Sequence, residues 1–485
     1  DWDGFGVVVQ AYGKRASVVI DWLYKLAQRL DRRIMVRLVK GAYWDTEIKL
    51  AQVDNLPGFP VFSAKQNTDM SYICCAAKLL EMGGHIYPQF ATHNAHTIAA
   101  VLNLAKQQGV ENFEFQRLHG MGEGLYAQVL QSHGTRCRIY APVGHHQDLL
   151  AYLVRRLLEN GANSSFVNQI FDDDVPSDVV AADPFEKIGR VGPKIVLPEA
   201  LFAPQRLNSS GYDLADPVVL HSLQAGRVLV GDWTFGCKGS KQTVINPANG
   251  QKIGQVNFAS RLEAQHMIRQ AQPWAEPVEK RIKVLRKVAD IYEKNAHELF
   301  ALLTHEAGKT LPDCIGELRE AVDFLRYYAA QGQKDGRSAS GIFTCISPWN
   351  FPLAIFTGQI VAALVMGNGV LAKPAENTSL IAHFAVNLMH EAGVPKNSLQ
   401  IVPGFGADVG PVLCGDPKIS GVCFTGSTAT ANLINQTMAQ ELPPHVPFIA
   451  ETGGLNAMIV DSTALLEQAV RDVLLSAFQS AGQRC

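Results

Sequence analysis

The stretch Ile34-Met-Val-Arg-Leu-Val-Lys-Gly-Ala-Tyr43 decides the fold of the N-terminal half. It reads as a strand whose polar residues, Arg37, Lys40 and Tyr43, gather toward its C-terminal end. Four other runs read the same way: Phe5–Tyr12, His85–Thr92, Phe113–His119 and Cys137–Val143. Helical patterns lie between them at Val18–Leu30, Tyr72–Met82, Thr97–Gln108 and Tyr126–His133. This repeated strand-then-helix order predicts parallel strands. Pattern alone leaves barrel and open sheet undecided; five such units would make up most of an eight-unit barrel. Gln10, His93, Asn94, His119 and Tyr140 also fall at or just past strand C-termini, the face that carries chemistry in βα barrels.

At 485 residues the chain has room for roughly three domains. Its 43 Lys and Arg against 45 Asp and Glu leave a net charge of −2, which argues against a nucleic-acid-coating or strongly membrane-adhesive surface. With 47% hydrophobic and 18% charged residues the composition is globular. Nine cysteines without CxxC pairs or zinc spacing argue against a disulfide framework or a metal site, and for a reducing cytoplasm. The chain opens at Asp1 without a methionine or signal peptide and stops on Cys485 after an apolar, helix-like run, so an internal fragment is expected. The uncharged stretch 341–372 is interrupted by Pro348, Asn350, Pro352, Gln359 and Asn368, and reads as strand, loop and packed helix rather than as a membrane span.

Three parts are expected: a barrel over 1–170, a linker over 171–240 and a nucleotide-binding domain over 241–485. Asp172-Asp-Asp174 and Asn208-Ser-Ser-Gly211 mark the linker. A strand and turn follow at Thr243–Gly250, then long helical patterns at Arg261–Gln272, Lys280–Glu306 and Leu318–Ala330. From 342 onward strands and helices alternate, as in an open nucleotide-binding sheet.

Four motifs carry chemistry in this last part. After the strand Ile342–Ile346, two prolines make Ser347-Pro-Trp-Asn-Phe-Pro352 a rigid turn, so Asn350 presents a fixed amide donor, as an oxyanion hole requires. Glu451-Thr-Gly-Gly454 sets a carboxylate beside two glycines, poised to move and to act as a base. Leu371-Ala-Lys-Pro-Ala-Glu376 pairs a cation with a carboxylate, suited to ribose hydroxyls. Phe424-Thr-Gly-Ser427 opens a helix whose N–H groups can receive a phosphate. Gly404-Phe-Gly-Ala-Asp-Val-Gly410 is glycine-rich, but its spacing is not GxGxxG. Cys485 is the most nucleophilic type of side chain, and it draws meaning from these companions.

In this order, closing on Gly482-Gln-Arg-Cys485, the motifs resemble the aldehyde dehydrogenase superfamily over about 240–485. The resemblance implies Cys485 as nucleophile, Asn350 with the Cys485 N–H as oxyanion hole, and Glu451 as activator of the deacylating water. It implies NAD along Ile346, Ser347, Pro348, Trp349, Lys373, Glu376, Gly406, Gly410, Phe424, Gly426 and Ser427, with Lys373 and Glu376 at the adenosine ribose. The first half resembles the proline dehydrogenase barrel, through Val36-Arg-Leu-Val-Lys-Gly-Ala-Tyr-Trp44, Phe90-Ala-Thr-His-Asn94, Leu118-His-Gly-Met-Gly122 and Tyr152-Leu-Val-Arg-Arg-Leu-Leu-Glu159. That implies FAD contacts at Gln10, Arg37, Val39, Lys40, Gly41, Ala42, Tyr43, Trp44, Ser63, Lys65, Thr68, His93, Asn94 and Glu159, with Ser63 where relatives often carry threonine. It also implies a proline pocket of Leu118, Tyr140, Tyr152, Arg155 and Arg156. Physical chemistry agrees, because a zwitterion needs a cation for its carboxylate and two adjacent arginines can clamp it. Glu159, one turn beyond Arg155, is placed to hold an arginine.

The joined arrangement resembles the bacterial proline utilization A family. By that resemblance the expected function is oxidation of proline to glutamate: an FAD-dependent proline dehydrogenase step, then an NAD-dependent glutamate semialdehyde dehydrogenase step. It further implies a quinone acceptor reached by peripheral membrane contact, a cytoplasmic homo-oligomer and channelling of the intermediate. Nucleic acid would enter only if the protein carries the N-terminal DNA-binding module that some relatives have, which these residues leave open. Rival readings are a monofunctional aldehyde dehydrogenase with an inert barrel appendage and a proline-responsive DNA-binding regulator. The family's early barrel strands, with an active-site aspartate and lysine, would precede Asp1, so residues 1–485 alone are expected to show no turnover.

Overall fold

Five strands, β1 (Gly6–Gln10), β2 (Ile34–Val39), β3 (Ile86–Ala91), β4 (Glu114–Leu118) and β5 (Arg136–Tyr140), lie side by side in that order, all parallel. The computed structural model describes residues 4–145, 149–150, 154, 176, 182–187, 195–228, 233–332, 336 and 338–483. The chain divides into two compact units, Asp1–Val53 with Gly58–Leu197 and Asp54–Pro57 with Pro198–Cys485.

In the first unit the period-2 pattern sorts side chains between two faces. Ile34, Val36 and Leu38 of β2 turn into a core with Ile20, Leu79, Phe90 and Phe115, under the covering helices. The intervening Met35, Arg37 and Val39 take the opposite face. Helices Ala16–Leu30, Lys65–Glu81, Ala95–Gln108 and Glu123–His133 each precede or follow a strand. The third is capped at its start by the Asn94 side chain, which accepts the Thr97 N–H at 3.0 Å. This is a (βα)8-type barrel over five of its units. The helix Lys65–Glu81 begins seven residues before the Tyr72–Met82 pattern, because its first two turns are mostly polar and carry no apolar period.

The second unit is an open, doubly wound sheet. Its strands β9 (Ile342–Ile346), β10 (Gly369–Lys373), β11 (Leu399–Ile401), β12 (Ile419–Gly426) and β13 (Phe448–Thr452) are parallel in the order β11-β10-β9-β12-β13. Helices Val278–Lys294, Ala296–Ala307, Leu311–Gly332, Ala354–Val365 and Ser379–Ala392 bury their apolar stripes in one core; Arg261–Gln270, Gly406–Gly415 and Thr428–Glu441 do so in another. The order reverses between β9 and β12. In such sheets this reversal opens a crevice at the strand C-termini, where ligands bind. A mixed sheet, β6 (Trp233–Gly236), β8 (Lys252–Phe258) and β7 (Ser240–Ile245), accompanies it.

Two readings need correction. The pattern Lys280–Glu306 is two helices meeting at Asn295, and apolar spacing continues across the joint. The stretch read as linker contributes a helix, Pro217–Gly226, and β6 to the second unit. Its polar residues act as caps and anchors. Asp216 accepts the Val218 N–H at 2.9 Å, and Ser209 donates its N–H and hydroxyl to Asp323, each at 2.9 Å. Among the described residues no helix is long and apolar enough to cross a membrane.

Candidate active sites

In the first unit the residues singled out at strand ends converge. The Arg37 guanidinium lies 4.8 Å from the centre of the Tyr140 ring. Their strands, β2 and β5, are three spacings apart, roughly 14 Å in a flat sheet. The contact therefore requires both side chains to lean across one face of a sheet that curls. Leu118 is the register partner of Tyr140, and its N–H donates to His93 Nε2 at 3.0 Å. His93 thus accepts at Nε2, which leaves its proton for Nδ1. Gln10 pairs in register with Val39.

Beyond β2 the chain turns at Gly41, whose φ of +125° a side chain rarely adopts and whose Cβ would stand 2.5 Å from the Tyr12 ring. Lys40 forms a close ion pair with Asp69, which also holds Lys65 at 2.8 Å. Burial pushes the Lys40 ammonium below its usual range against the pull of Asp69. Burial would raise the Asp69 carboxyl, but Lys40 and Lys65 outweigh it and hold it below the ordinary value. Trp44 donates from Nε1 to the Phe62 carbonyl at 2.8 Å. Ala42 is half-buried, Tyr43 and Ser63 are exposed, and Thr68 is buried. Asn94 carries the helix cap already described. Tyr152, Arg155, Arg156 and Glu159 lie outside the described residues.

Sequence reasoning missed Asp69. Its only signal was a position four residues after Lys65, facing it on a helix. It also missed a polar layer on the inner sheet face. There Glu114 accepts from Gln89 at 2.8 Å, Gln116 at 3.0 Å, and Arg138 Nε and Nη2 at 2.7 and 3.0 Å.

In the second unit a cavity of about 830 Å³ opens at the crevice between β9 and β12. All the residues read as a nucleotide site line it: Ile346, Ser347, Pro348 and Trp349 after β9, Lys373 and Glu376 after β10, Gly406 and Gly410, and Phe424, Gly426 and Ser427 at the end of β12. Asn350 and Glu451 line it too. Two helices, Gly406–Gly415 and Thr428–Glu441, begin at its wall, and Ser427 caps the second by accepting the Thr430 N–H at 3.1 Å.

The charges are tied together. Lys373 Nζ lies 3.2 Å from Glu376 Oε1, which accepts the Gly406 N–H at 2.7 Å. Burial lowers the Lys373 ammonium; the Glu376 carboxyl, despite burial, is held below its usual range by Lys373 and the Gly406 N–H. The Asn350 amide donates to the Gln483 carbonyl at 3.1 Å, two residues before Cys485. Cys485 itself lies outside the described residues.

Two buried glutamates escaped the sequence reading. Glu306 accepts the Leu380 and Ile381 N–H groups at 2.7 and 2.8 Å, and Glu317 accepts those of Leu353 and Ala354 at 3.3 and 2.9 Å. Each caps from a distance the helix that follows a cavity loop. No local motif marks a cap supplied from another helix.

An aldehyde dehydrogenase family model matches residues 233–485, more than half of the chain. The chain belongs to that family. Residues 1–169 match a proline dehydrogenase model. The bifunctional protein PutA of Salmonella typhimurium is 50% identical across the whole chain, which spans 40% of that relative. A 1-pyrroline-5-carboxylate dehydrogenase of Anoxybacillus flavithermus is 37% identical over 50% of the chain and 52% of its own length. The crystal structure of a point mutant of Bradyrhizobium japonicum proline utilization A superimposes with a TM-score of 0.86 at 48% identity, covering all of this chain and 50% of that one. The chain thus spans about half, or less, of the proteins it resembles along its full length.

Proposed function

We propose that the chain carries parts of two enzymes acting in sequence: proline oxidation in the first unit, then oxidation of glutamate semialdehyde to glutamate in the second. The observation that carries this reading is the cavity of about 830 Å³ in the second unit, where an amide donor, a carboxylate, a lysine–glutamate pair and two helix N-termini meet. Each of the two site types fits its cofactor. In the first unit Arg37 Nε is buried without a hydrogen-bond partner, a donor aimed into the site. In the second, a Cβ at Gly410 would meet no atom within 4 Å, so that stretch of wall faces open space that a bound dinucleotide can enter.

In the first unit Arg37, Lys40, Lys65 and His93 would hold FAD, with Gln10, Trp44 and Thr68 beside them. FAD, when bound, supplies the acceptor for two electrons from proline. Tyr140 and Leu118 would wall the proline ring, and Arg155 with Arg156 would clamp its carboxylate.

In the second unit Lys373 and Glu376 would hold the ribose of NAD, and the N–H groups at Gly426 and Ser427 its phosphates. NAD, when bound, supplies the hydride acceptor. Cys485 attacks the aldehyde carbon as thiolate, and the Asn350 amide, with a second N–H beyond the one given to Gln483, donates to the developing oxyanion. Loss of the hydride leaves a thioester on Cys485. Glu451 takes a proton from water, which attacks the thioester and releases glutamate and the thiol. Transfer of electrons to a quinone, peripheral membrane contact, a cytoplasmic location and homo-oligomerisation belong to the same proposal.

The test uses the intact protein supplied with proline, NAD and a soluble quinone, the quinone being added after flavin reduction by proline has been recorded. Bleaching of bound flavin followed by NADH formation is expected, and Cys485→Ala should stop the sequence at pyrroline carboxylate. A protein that never binds flavin would favour an inert first unit beside a working aldehyde dehydrogenase.

A further inference from the structure

Lys309 and Glu317 have no part in the chemistry above, yet they sit behind it. Both are buried, at 7% and 2% exposure. Their charged groups lie 3.2 Å apart, and Glu317 uses its other oxygen on the Leu353 and Ala354 N–H groups, which open the helix Ala354–Val365. Leu353 has no side chain able to cap that helix, so the distant carboxylate fixes where the Ser347–Pro352 turn ends. Lys309 touches both the segment that carries Asn350 and the segment that leads to Cys485. Its Nζ stands 4.5 Å over the ring of Phe351, next to Asn350, and 2.9 Å from Ser480 Oγ.

The Ser480 turn needs such support. Ser480 and Ala481 hold φ of 52° and 54°, left-handed values that cost a residue with a side chain about 1 kcal/mol or more. That turn delivers Gln483 to the Asn350 amide and leads into Cys485.

We propose that Lys309 and Glu317 are positioning residues that hold the Asn350 turn and the Ser480 turn in mutual register, so that amide donor and thiol address the same carbonyl. The proposal rests on the aldehyde dehydrogenase reading of this cavity. It predicts that displacing either turn costs turnover rather than nucleotide affinity, since misplacement of about 1 Å costs on the order of 100-fold in rate.

The experiment compares the intact wild-type protein with Lys309→Met, Glu317→Gln and Ser480→Ala. It measures kcat and KM with glutamate semialdehyde, NAD affinity by fluorescence titration, and the rate at which iodoacetamide alkylates Cys485. Lys309→Met should lower kcat by about 10- to 100-fold and slow or speed alkylation at least threefold, with NAD affinity within twofold of wild type. Glu317→Gln, which keeps one acceptor for the helix N–H groups, should recover most of the rate. Ser480→Ala leaves the core intact and should lower kcat by about fivefold even if Lys309→Met does not fold. Unchanged kcat and alkylation in Ser480→Ala, or in a folded Lys309→Met, would overturn the proposal while the functional reading stands. A wild-type protein inert toward the aldehyde would remove the functional reading, and this proposal with it.

Discussion

Asp69 and Glu114 of the first unit and Glu306 and Glu317 of the second carry their burial differently. In the first, each carboxylate meets a side-chain cation: Asp69 with Lys40 and Lys65, Glu114 with Arg138. Both are held below the usual carboxylate range, since those cations outweigh the effect of burial. In the second, Glu306 faces backbone N–H groups and burial pushes it up to about 8, while Glu317, shared between Lys309 and two backbone N–H groups, is still pushed by burial up to about 7. Side-chain cations keep a carboxylate charged and so arrange a field at the site. Backbone donors compensate burial less completely, and what they fix is the place of a helix and the loop before it. Asp69 and Glu114 in the first unit present charge, as Glu376 does in the second beside Lys373, whereas Glu306 and Glu317 hold main chain still.

Four measurements can break or sharpen that contrast. The largest effect is expected at Cys485, the proposed nucleophile. Cys485→Ala should abolish NADH formation, a loss of roughly 10⁴-fold or more, while flavin reduction by proline continues. If flavin reduction fell as well, the two chemistries would not be separable.

Next comes Asp69→Asn, which leaves Lys40 half-buried without its anion. We expect flavin content of the purified protein to fall at least severalfold and stability of the first unit to drop by about 1–3 kcal/mol. Full flavin occupancy would mean that the ion pair holds only the helix Lys65–Glu81.

The pH response should differ in sign between the units. Asp69 and Glu114 have depressed native pKa values, so their contribution is present above the unfolded range of about 4 and is lost as pH falls through the native value. Glu306 is raised to about 8, so its contribution is fully present below about 4.5 and is lost as pH rises through 8. Denaturation midpoints of wild type should therefore decline against those of Glu306→Gln between pH 5 and 8, and against those of Asp69→Asn as pH falls below 4. Parallel curves in either comparison would remove the distinction.

The smallest effect is a control. Lys280 and Glu276 pair at 2.8 Å on an exposed helix start, with side chains 61% and 41% accessible. Lys280→Ala should change stability by less than about 0.5 kcal/mol. A larger loss would mean that surface pairs matter here as much as buried ones.

What was legible in the sequence follows from how locally each feature is encoded. The strands of the first unit read directly, because period-2 burial and polar ends are written in consecutive residues, as in Ile34–Val39. Ser347–Pro352, Lys373 with Glu376, and Gly426-Ser427 were legible for the same reason. Each is a short turn after a strand, and parallel topology brings strand ends to one edge. The linker reading failed where Asp216, Asn208 and Ser209 serve as caps and anchors, since the same residue types also make loops.

By itself, then, the sequence determined the α/β alternation, the turn chemistry and the motifs at strand ends that line part of the crevice. The tertiary structure alone decided that Asp69 reaches Lys40 and that Arg37 reaches Tyr140 across a curled sheet. It alone decided that Glu306 and Glu317 cap helices 74 and 36 residues further along the chain. A capping bond is worth little until chain entropy has already been lost to the hydrophobic core, so no local pattern announces it.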